Sequence, residues 1–236
     1  MTATKRLKDC PTHKAGWQLM VNGEKMPLET EWEVQSSFGD VHTAVVLGQD
    51  GSPIFDRPAY REAANVNIIA WGRRKSLFGK DDVRIAVIRQ PRPHADDPKN
   101  PGDDHKPVVF GQIPMGFMEK VLGESGEEAA RRETGEETGA SAVLSVRCPE
   151  YPWHNPNPAF VATWSELFFV QVDLDKVEAL KVDRNEPIYS AEYVPVRELL
   201  RRIRNGKDEQ GAVYRMCTAN SLWMIFFATF PELWPL

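Results

Sequence analysis

Arg132-Glu133-Thr134-Gly135-Glu136-Glu137-Thr138-Gly139 follows directly on Ser125-Gly126-Glu127-Glu128-Ala129-Ala130-Arg131, and the pair of segments sets the reading of the whole chain. Ser125 and Glu128 have the spacing of a capping box, and Gly139 is a C-terminal stop, so a helix is predicted over Gly126 to Thr138. Glu127 with Arg131 and Glu128 with Arg132 are well-oriented i,i+4 pairs. Glu133, Glu136 and Glu137 then fall beside the partly negative end of the helix dipole, which opposes all three. At 100° per residue they also share one face, where like charges repel by ~0.2–0.5 kcal/mol per pair. A cation is the natural remedy. Hard divalent ions take oxygen ligands shared between a few carboxylates and substrate phosphates, so this face is suited to metal-assisted phosphate chemistry.

Around this helix lie runs with strand character: His42 to Leu47, Val66 to Trp71, Val83 to Arg89, Val108 to Ile113, Ala142 to Val146 and Glu166 to Asp173. Turn-rich stretches separate them at Gly48 to Pro53, Arg92 to Pro107 and Pro149 to Pro158. Two more helices are predicted after the last strand, over Val196 to Asn205 with Gly206 as stop and over Gln210 to Thr229 before Pro231. One helix between strands and two behind them predict an α+β fold, not a doubly wound parallel sheet.

Composition narrows the function. The 236 residues are 42% hydrophobic and 27% charged, as in an ordinary globular protein. A formal charge of -5 and a pI near 5.6 argue against nucleic-acid backbone binding. Arg73-Arg74-Lys75 and Arg201-Arg202 are short basic clusters that read as solvated faces. Cys10, Cys148 and Cys217 are scattered and odd in number, which suggests neither a disulfide framework nor a zinc site and fits a reducing, cytoplasmic setting. No apolar stretch follows the basic N-terminal residues, and the apolar run from Leu222 to Ala228 falls far short of the ~20 residues of a membrane span. The expectation is a soluble protein without membrane association.

Extending the acidic helix backwards gives Ile113-Pro114-Met115-Gly116-Phe117-Met118-Glu119 and then Gly123-Glu124-Ser125. With these residues the chain resembles the Nudix hydrolases, whose box places Glu124, Arg132, Glu133, Glu136, Glu137, Gly139 and Ala140 in register here. Two positions depart from the pattern. Seven residues instead of five separate Gly116 from Glu124, which reads as a two-residue insertion between Glu119 and Gly123 and leaves Met118 at the strict glycine position. Thr134 stands where an apolar residue is usual. Arg89-Gln90-Pro91-Arg92, followed by a loop and Gln112-Ile113-Pro114-Met115-Gly116, looks like the ADP-ribose pyrophosphatase branch of the family. The resemblance covers Asn65 to Ala228, weakly after the box.

This resemblance implies a Nudix-type α/β/α sandwich with a mixed sheet, a β-rich extension over residues 1–60 and a Nudix domain over 61–236. It further implies a pyrophosphohydrolase that uses Mg²⁺, or Mn²⁺, to cleave a nucleoside diphosphate linked to another group, with ADP-ribose or a nucleoside diphosphate sugar as the leading substrate. Other Nudix substrates, and a non-catalytic nucleotide-binding module, are the competing readings. Glu133 and Glu137 are the implied principal metal ligands, Met115 the backbone ligand through its carbonyl, and Glu136 a further ligand or water-holding group. Arg132, as a neighbour of Glu133, is expected to point to another helix face and to orient a box glutamate, or simply to pair with Glu128. Glu186 is the candidate general base, with Asp183 and Glu192 as competitors.

Arg89 and Arg92 are candidates for gripping the diphosphate or ribose, a task suited to the guanidinium fork. Glu166, before an apolar strand, is a candidate for a substrate hydroxyl. Trp153, His154 and Trp164 could stack on a base or anchor a loop. Trp223, Phe226, Phe227 and Phe230 recur at helical spacing, which points to core packing or a dimer contact. By analogy with the ADP-ribose branch, residues 1–60 would mediate a homodimer.

Overall fold

The computed structural model describes residues 17–21, 24–25, 35–36, 39–47, 53–75, 81–92, 108–119, 122–155, 164–180, 188–214 and 217–234. The chain divides into two compact units, one of residues Met1–Ala64 and His154–Ser165, the other of Asn65–Trp153 and Glu166–Leu236. Within the described residues of the first lie β1 (Trp17–Val21), β2 (Glu24–Lys25), β3 (Gln35–Ser36), β4 (Gly39–Leu47) and β5 (Pro53–Glu62). They form an antiparallel sheet centred on β4, in which β5 pairs β4 from Gly39↔Glu62 to Leu47↔Pro53. The predicted strand at His42 to Leu47 is part of β4; its partner β5 was not foreseen, because Pro53, Asp56, Arg57 and Pro58 interrupt any apolar alternation.

The second unit carries the acidic helix. Its strands are β6 (Asn65–Lys75), β7 (Asp81–Arg92), β8 (Val108–Gln112), β9 (Met115–Phe117), β10 (Val143–Arg147), β11 (Trp153–His154), β12 (Ser165–Val172) and β13 (Ser190–Pro195). Its helices are α1 (Gly126–Thr138), α2 (Val196–Asn205) and α3 (Cys217–Thr229). The sheet runs β10-β12-β6-β7-β13, with β9 beside β6 and β8 beside β7. Only the pairing of β12 with β6 is parallel among those described, so the sheet is mixed.

Side-chain alternation divides this sheet into two faces. Ile69, Trp71, Ile85, Val87, Leu167 and Phe169 pack with Leu199 of α2 and with Ala219, Leu222, Trp223 and Phe226 of α3. The interleaved Val66, Ile68, Ala70, Ala86, Phe168, Val170 and Val172 pack with Ala129 and Ala130 of α1. Burial on both faces explains why Ile68 to Trp71 reads as a continuous apolar run instead of an alternating one. Helices on the two sides of a mixed sheet make the expected α/β/α sandwich, at ~1.5–3 kcal/mol for each large apolar side chain taken out of water.

Ser125 caps α1: its side chain accepts from Glu128 N–H, and the Glu128 carboxylate accepts from Ser125 N–H at 2.8 Å. Gly139 takes the left-handed conformation at φ 73° and donates to Gly135 O at 3.0 Å. α2 has the predicted limits, with Gly206 left-handed at φ 80°. α3 is shorter than predicted, beginning at Cys217 instead of Gln210. Asp208 prevents the earlier start: its Oδ1 accepts from Gln210 N–H (2.9 Å) and Ala212 N–H (3.0 Å), folding 208–212 into a turn completed by Gly211 at φ 86°. Val213 then bonds the edge of β8, receiving from Gly111 N–H and donating to Val109 O.

In α3, Ala219, Leu222, Trp223, Phe226 and Phe227 follow the i, i+3, i+4, i+7, i+8 rhythm and are all buried. Phe226 meets Trp71 and Phe169 edge-on, with ring centroids 5.8 and 5.5 Å apart. These aromatics are core, as one of the two sequence readings held. Among the described residues no helix is long and apolar enough to cross a membrane.

Candidate active site

Strand β9 and the second half of α1 form the site. Two of the box carboxylates are buried, Glu133 at 5% exposure and Glu137 at 2%. Glu137 Oε2 accepts a 2.7 Å hydrogen bond from the Met115 backbone N–H, which ties the helix to β9. Glu133 lies against Gly116. A Cβ there would overlap Glu133 Cδ and Oε1 and stand 2.5 Å from Cγ, so only glycine admits the carboxylate at this place. Gly116 is not in the left-handed region, and side-chain space is therefore the reason for glycine here.

Arg132 is the hub of the charges. Its Nε and Nη2 fork onto the two oxygens of Glu124 at 2.9 and 3.1 Å, and Nη2 also donates to Phe117 O at 2.9 Å. Its Nη1 donates to Glu133 Oε1 at 2.7 Å and to Glu136 Oε2 at 2.9 Å. The Glu124 carboxyl is held below its usual range, chiefly by the bond from Arg132, and the Arg132 guanidinium is correspondingly harder to deprotonate, chiefly through Glu124. The bond to a box glutamate was expected. The reach to Glu133 was not, because helix-wheel reasoning follows Cβ directions and ignores the length of an arginine. Nor does Arg132 pair with Glu128, which turns back onto Ser125; Arg131 does pair with Glu127, at 2.8 Å.

The two-residue insertion is closed at its base. Glu119 N–H donates to Glu124 Oε2 at 2.7 Å, and Glu119 O accepts from Leu122 N–H at 2.9 Å. Lys120 and Val121 lie outside the described residues. Thr134 is fully buried and bonds Ala130 O within the helix at 2.6 Å, so its hydroxyl is satisfied where an apolar side chain would otherwise sit.

The other candidates stand elsewhere. Arg89 continues the odd-numbered series of β7 onto the α2/α3 face, opposite α1. There its Nη2 bonds Asp208 Oδ2 at 2.5 Å and approaches Glu192 Oε1 at 3.3 Å, while Nη1 donates to Gln210. Glu192 also receives Arg202 Nη1 at 2.5 Å, and Arg202 bonds Glu198 and the Tyr214 hydroxyl. This ionic network joins residues more than a hundred positions apart, and only the charges themselves were visible in the sequence. Glu166 lies at the N-terminus of α1, where a Cβ on Gly126 would collide with its Oε2; a carboxylate there complements the helix dipole. Arg92 ends β7. Asp183 and Glu186 lie outside the described residues. Trp153 and Trp164 are both substantially exposed.

Among the described residues, no three His, Cys, Asp or Glu side chains converge as a ready-made metal cage. The local charges nonetheless fit a divalent ion. Three carboxylates, of Glu124, Glu133 and Glu136, contact the Arg132 guanidinium, and that of Glu137 sits one turn from Glu133 on the Met115 amide, so this group of five residues carries a formal charge of minus three. Oxygen-only donors of this kind, two of them buried, match a hard cation and not a soft one.

No curated protein sequence matches the chain. Among solved structures it is similar to an ADP compounds hydrolase, at 18% identity, covering 83% of this chain and 90% of that one with a TM-score of 0.47. It is also similar to a mutT/nudix family protein from Listeria innocua, at 17% identity, 72% and 95% coverage and TM-score 0.41. A third is the NUDIX domain of Shewanella oneidensis NrtR complexed with ADP ribose, at 10% identity, 72% and 88% coverage and TM-score 0.40. The model of the NUDIX domain matches residues 77–216, which is more than half of the chain. That span runs from just before β7 to the residue preceding α3 and takes in the whole box, and on it the chain belongs to the Nudix family.

Proposed function

We propose that this Nudix domain is a metal-dependent pyrophosphohydrolase acting on ADP-ribose or a nucleoside diphosphate sugar, releasing a nucleoside monophosphate. The observation that carries the reading is the seating of Glu133 and Glu137, two buried carboxylates one turn apart, against Gly116 and the Met115 amide. Burying carboxylates is costly unless charge compensates them, and a divalent ion supplies such charge.

Glu133, Glu137 and the Met115 carbonyl would hold Mg²⁺ or Mn²⁺, with Glu136, 58% exposed in its side chain, as a further ligand or water-holding group. Bound there, the ion would neutralise a diphosphate and lower the pKa of the attacking water. The protein's own groups do the remaining work. β9 fixes Glu137 through the Met115 N–H and sets the approach of Glu133, Arg132 orients Glu124 through its fork, and Glu186 is the proposed proton acceptor from water.

The substrate class rests on Arg89-Gln90-Pro91-Arg92 ahead of Pro114-Met115-Gly116. Since Arg89 is committed to Asp208, Arg92 is the better candidate of that pair for a substrate phosphate. Homodimerisation through the N-terminal unit and a cytoplasmic setting belong to the same proposal. Incubation with ADP-ribose, sugar nucleotides and dinucleotides, with and without Mg²⁺, followed by mass spectrometry of the products, tests it. Metal-dependent release of a nucleoside monophosphate is expected; no turnover of any of them would refute the assignment.

A further inference from the structure

One guanidinium nitrogen donates to the carboxylate that would serve a divalent ion. We infer that Arg132 is an internal counter-cation that competes with the metal for Glu133, so that binding the ion weakens the Arg132 Nη1–Glu133 Oε1 hydrogen bond. The inference rests on the proposed metal site and goes beyond it, because it assigns Arg132 a role that lowers metal affinity.

The geometry separates an anchored end of the guanidinium from a contested one. Nε and Nη2 are fixed by the fork on Glu124 and by Phe117 O, a combination that holds the group whatever happens at Nη1. Nη2 spends both its bonds on that anchored side, whereas Nη1 donates to Glu133 and Glu136. Of these two partners, Glu133 has no freedom to leave: its side chain is 6% exposed and rests on Gly116. Glu136 is 58% exposed and can swing towards solvent or follow the guanidinium. A cation approaching Glu133 therefore meets a positive charge 2.7 Å from the oxygen it needs. In exchange, the metal-free protein keeps its helix end neutralised in part, despite having no basic residue in the last turn of α1.

The test measures binding, not turnover. Mn²⁺ affinity is determined by electron paramagnetic resonance for the wild type and Arg132→Gln, with circular dichroism as the check on folding. Removing a charged hydrogen-bonding competitor should tighten Mn²⁺ binding about tenfold. The same variant should melt at a lower temperature without metal and gain more from saturating Mn²⁺ than the wild type does. Equal or weaker binding by a folded Arg132→Gln protein overturns the inference, while absence of Mn²⁺ binding to the wild type overturns the metal site itself. A second measurement needs no variant to fold: in ¹⁵N-labelled wild type titrated with Mg²⁺, the Arg132 Nη1 resonance should move while Nε stays. Coincident shifts at both, or at neither, refute the separation of anchored and contested ends.

Discussion

Gly116→Ala is the most discriminating change the structure offers, because it acts on one metal-ligand candidate and leaves the charges untouched. The added methyl would overlap the carboxyl carbon and Oε1 of Glu133 and stand 2.5 Å from Cγ. Carbon–carbon contacts settle near ~3.5–4.0 Å, so Cγ must retreat by about 1 Å and the carboxylate by more. β9 cannot yield instead, since Gly116 is paired with Val66 and flanked by the Met115–Glu137 bond and the Pro114–Ile68 bond. Overpacking of this kind costs about 1–3 kcal/mol, or a few degrees of melting temperature for a unit of this size. A displacement of about 1 Å in a catalytic group costs on the order of 10²-fold in rate. Metal-dependent hydrolysis, Mn²⁺ affinity and thermal melting should therefore all fall together. If Gly116→Ala keeps activity within twofold at an unchanged melting temperature, the placement of Glu133 against β9 is wrong.

Gly135→Ala, on the same helix, should do the opposite: its Cβ would meet only Ala140 O at an ordinary 3.6 Å, so the helix gains about 0.5–1 kcal/mol and the melting temperature rises. Glu137→Gln keeps an oxygen to accept from Met115 N–H but loses the charge, and should cut turnover by orders of magnitude with the fold intact; unimpaired turnover would remove Glu137 from the ligand set. Arg202→Met takes one of two arginines from each of Glu192 and Glu198 and removes the hydrogen bond to the buried Tyr214 hydroxyl, and a loss of about 1.5–3 kcal/mol in denaturant unfolding is expected. The Glu198 carboxyl is held down to about 2 from 4.5, chiefly by Arg201 and then by Arg202. A depressed acid of this kind adds stability that is whole above pH 4.5 and is lost as pH falls towards 2, so Glu198→Gln should flatten that acid limb.

The helix termini were legible because they are local. Ser125, Glu128, Gly139 and Gly206 carry their instructions within four residues, and α1 and α2 begin and end where those residues say. Asp208 shows where local reading failed. Its carboxylate gathers the amides of 210 and 212 into a turn and delays α3, yet a lone Asp in a polar stretch gives no such sign. Strand β13 escaped notice for a different reason: Ser190, Ala191 and Glu192 carry no apolar rhythm, and the strand exists through its pairing with β7. The grouping of the box residues was legible, since helical spacing alone brings 133 and 137 onto one face. The seating of Glu133 on Gly116 and the reach of Arg132 to Phe117 O were not, because these contacts come through the sheet, and Arg89 finds Asp208 only after the chain has crossed to the other face.

The hydrogen bonds that join Glu119 to Leu122 and Glu124 have a practical side. They act as a clasp, a link that ties Glu119 to the carboxylate holding the Arg132 fork. The same link is a grafting point: a short peptide epitope or fluorophore-bearing spacer inserted between Glu119 and Leu122 would report on the site from its rim while Glu124 and Arg132 keep their places.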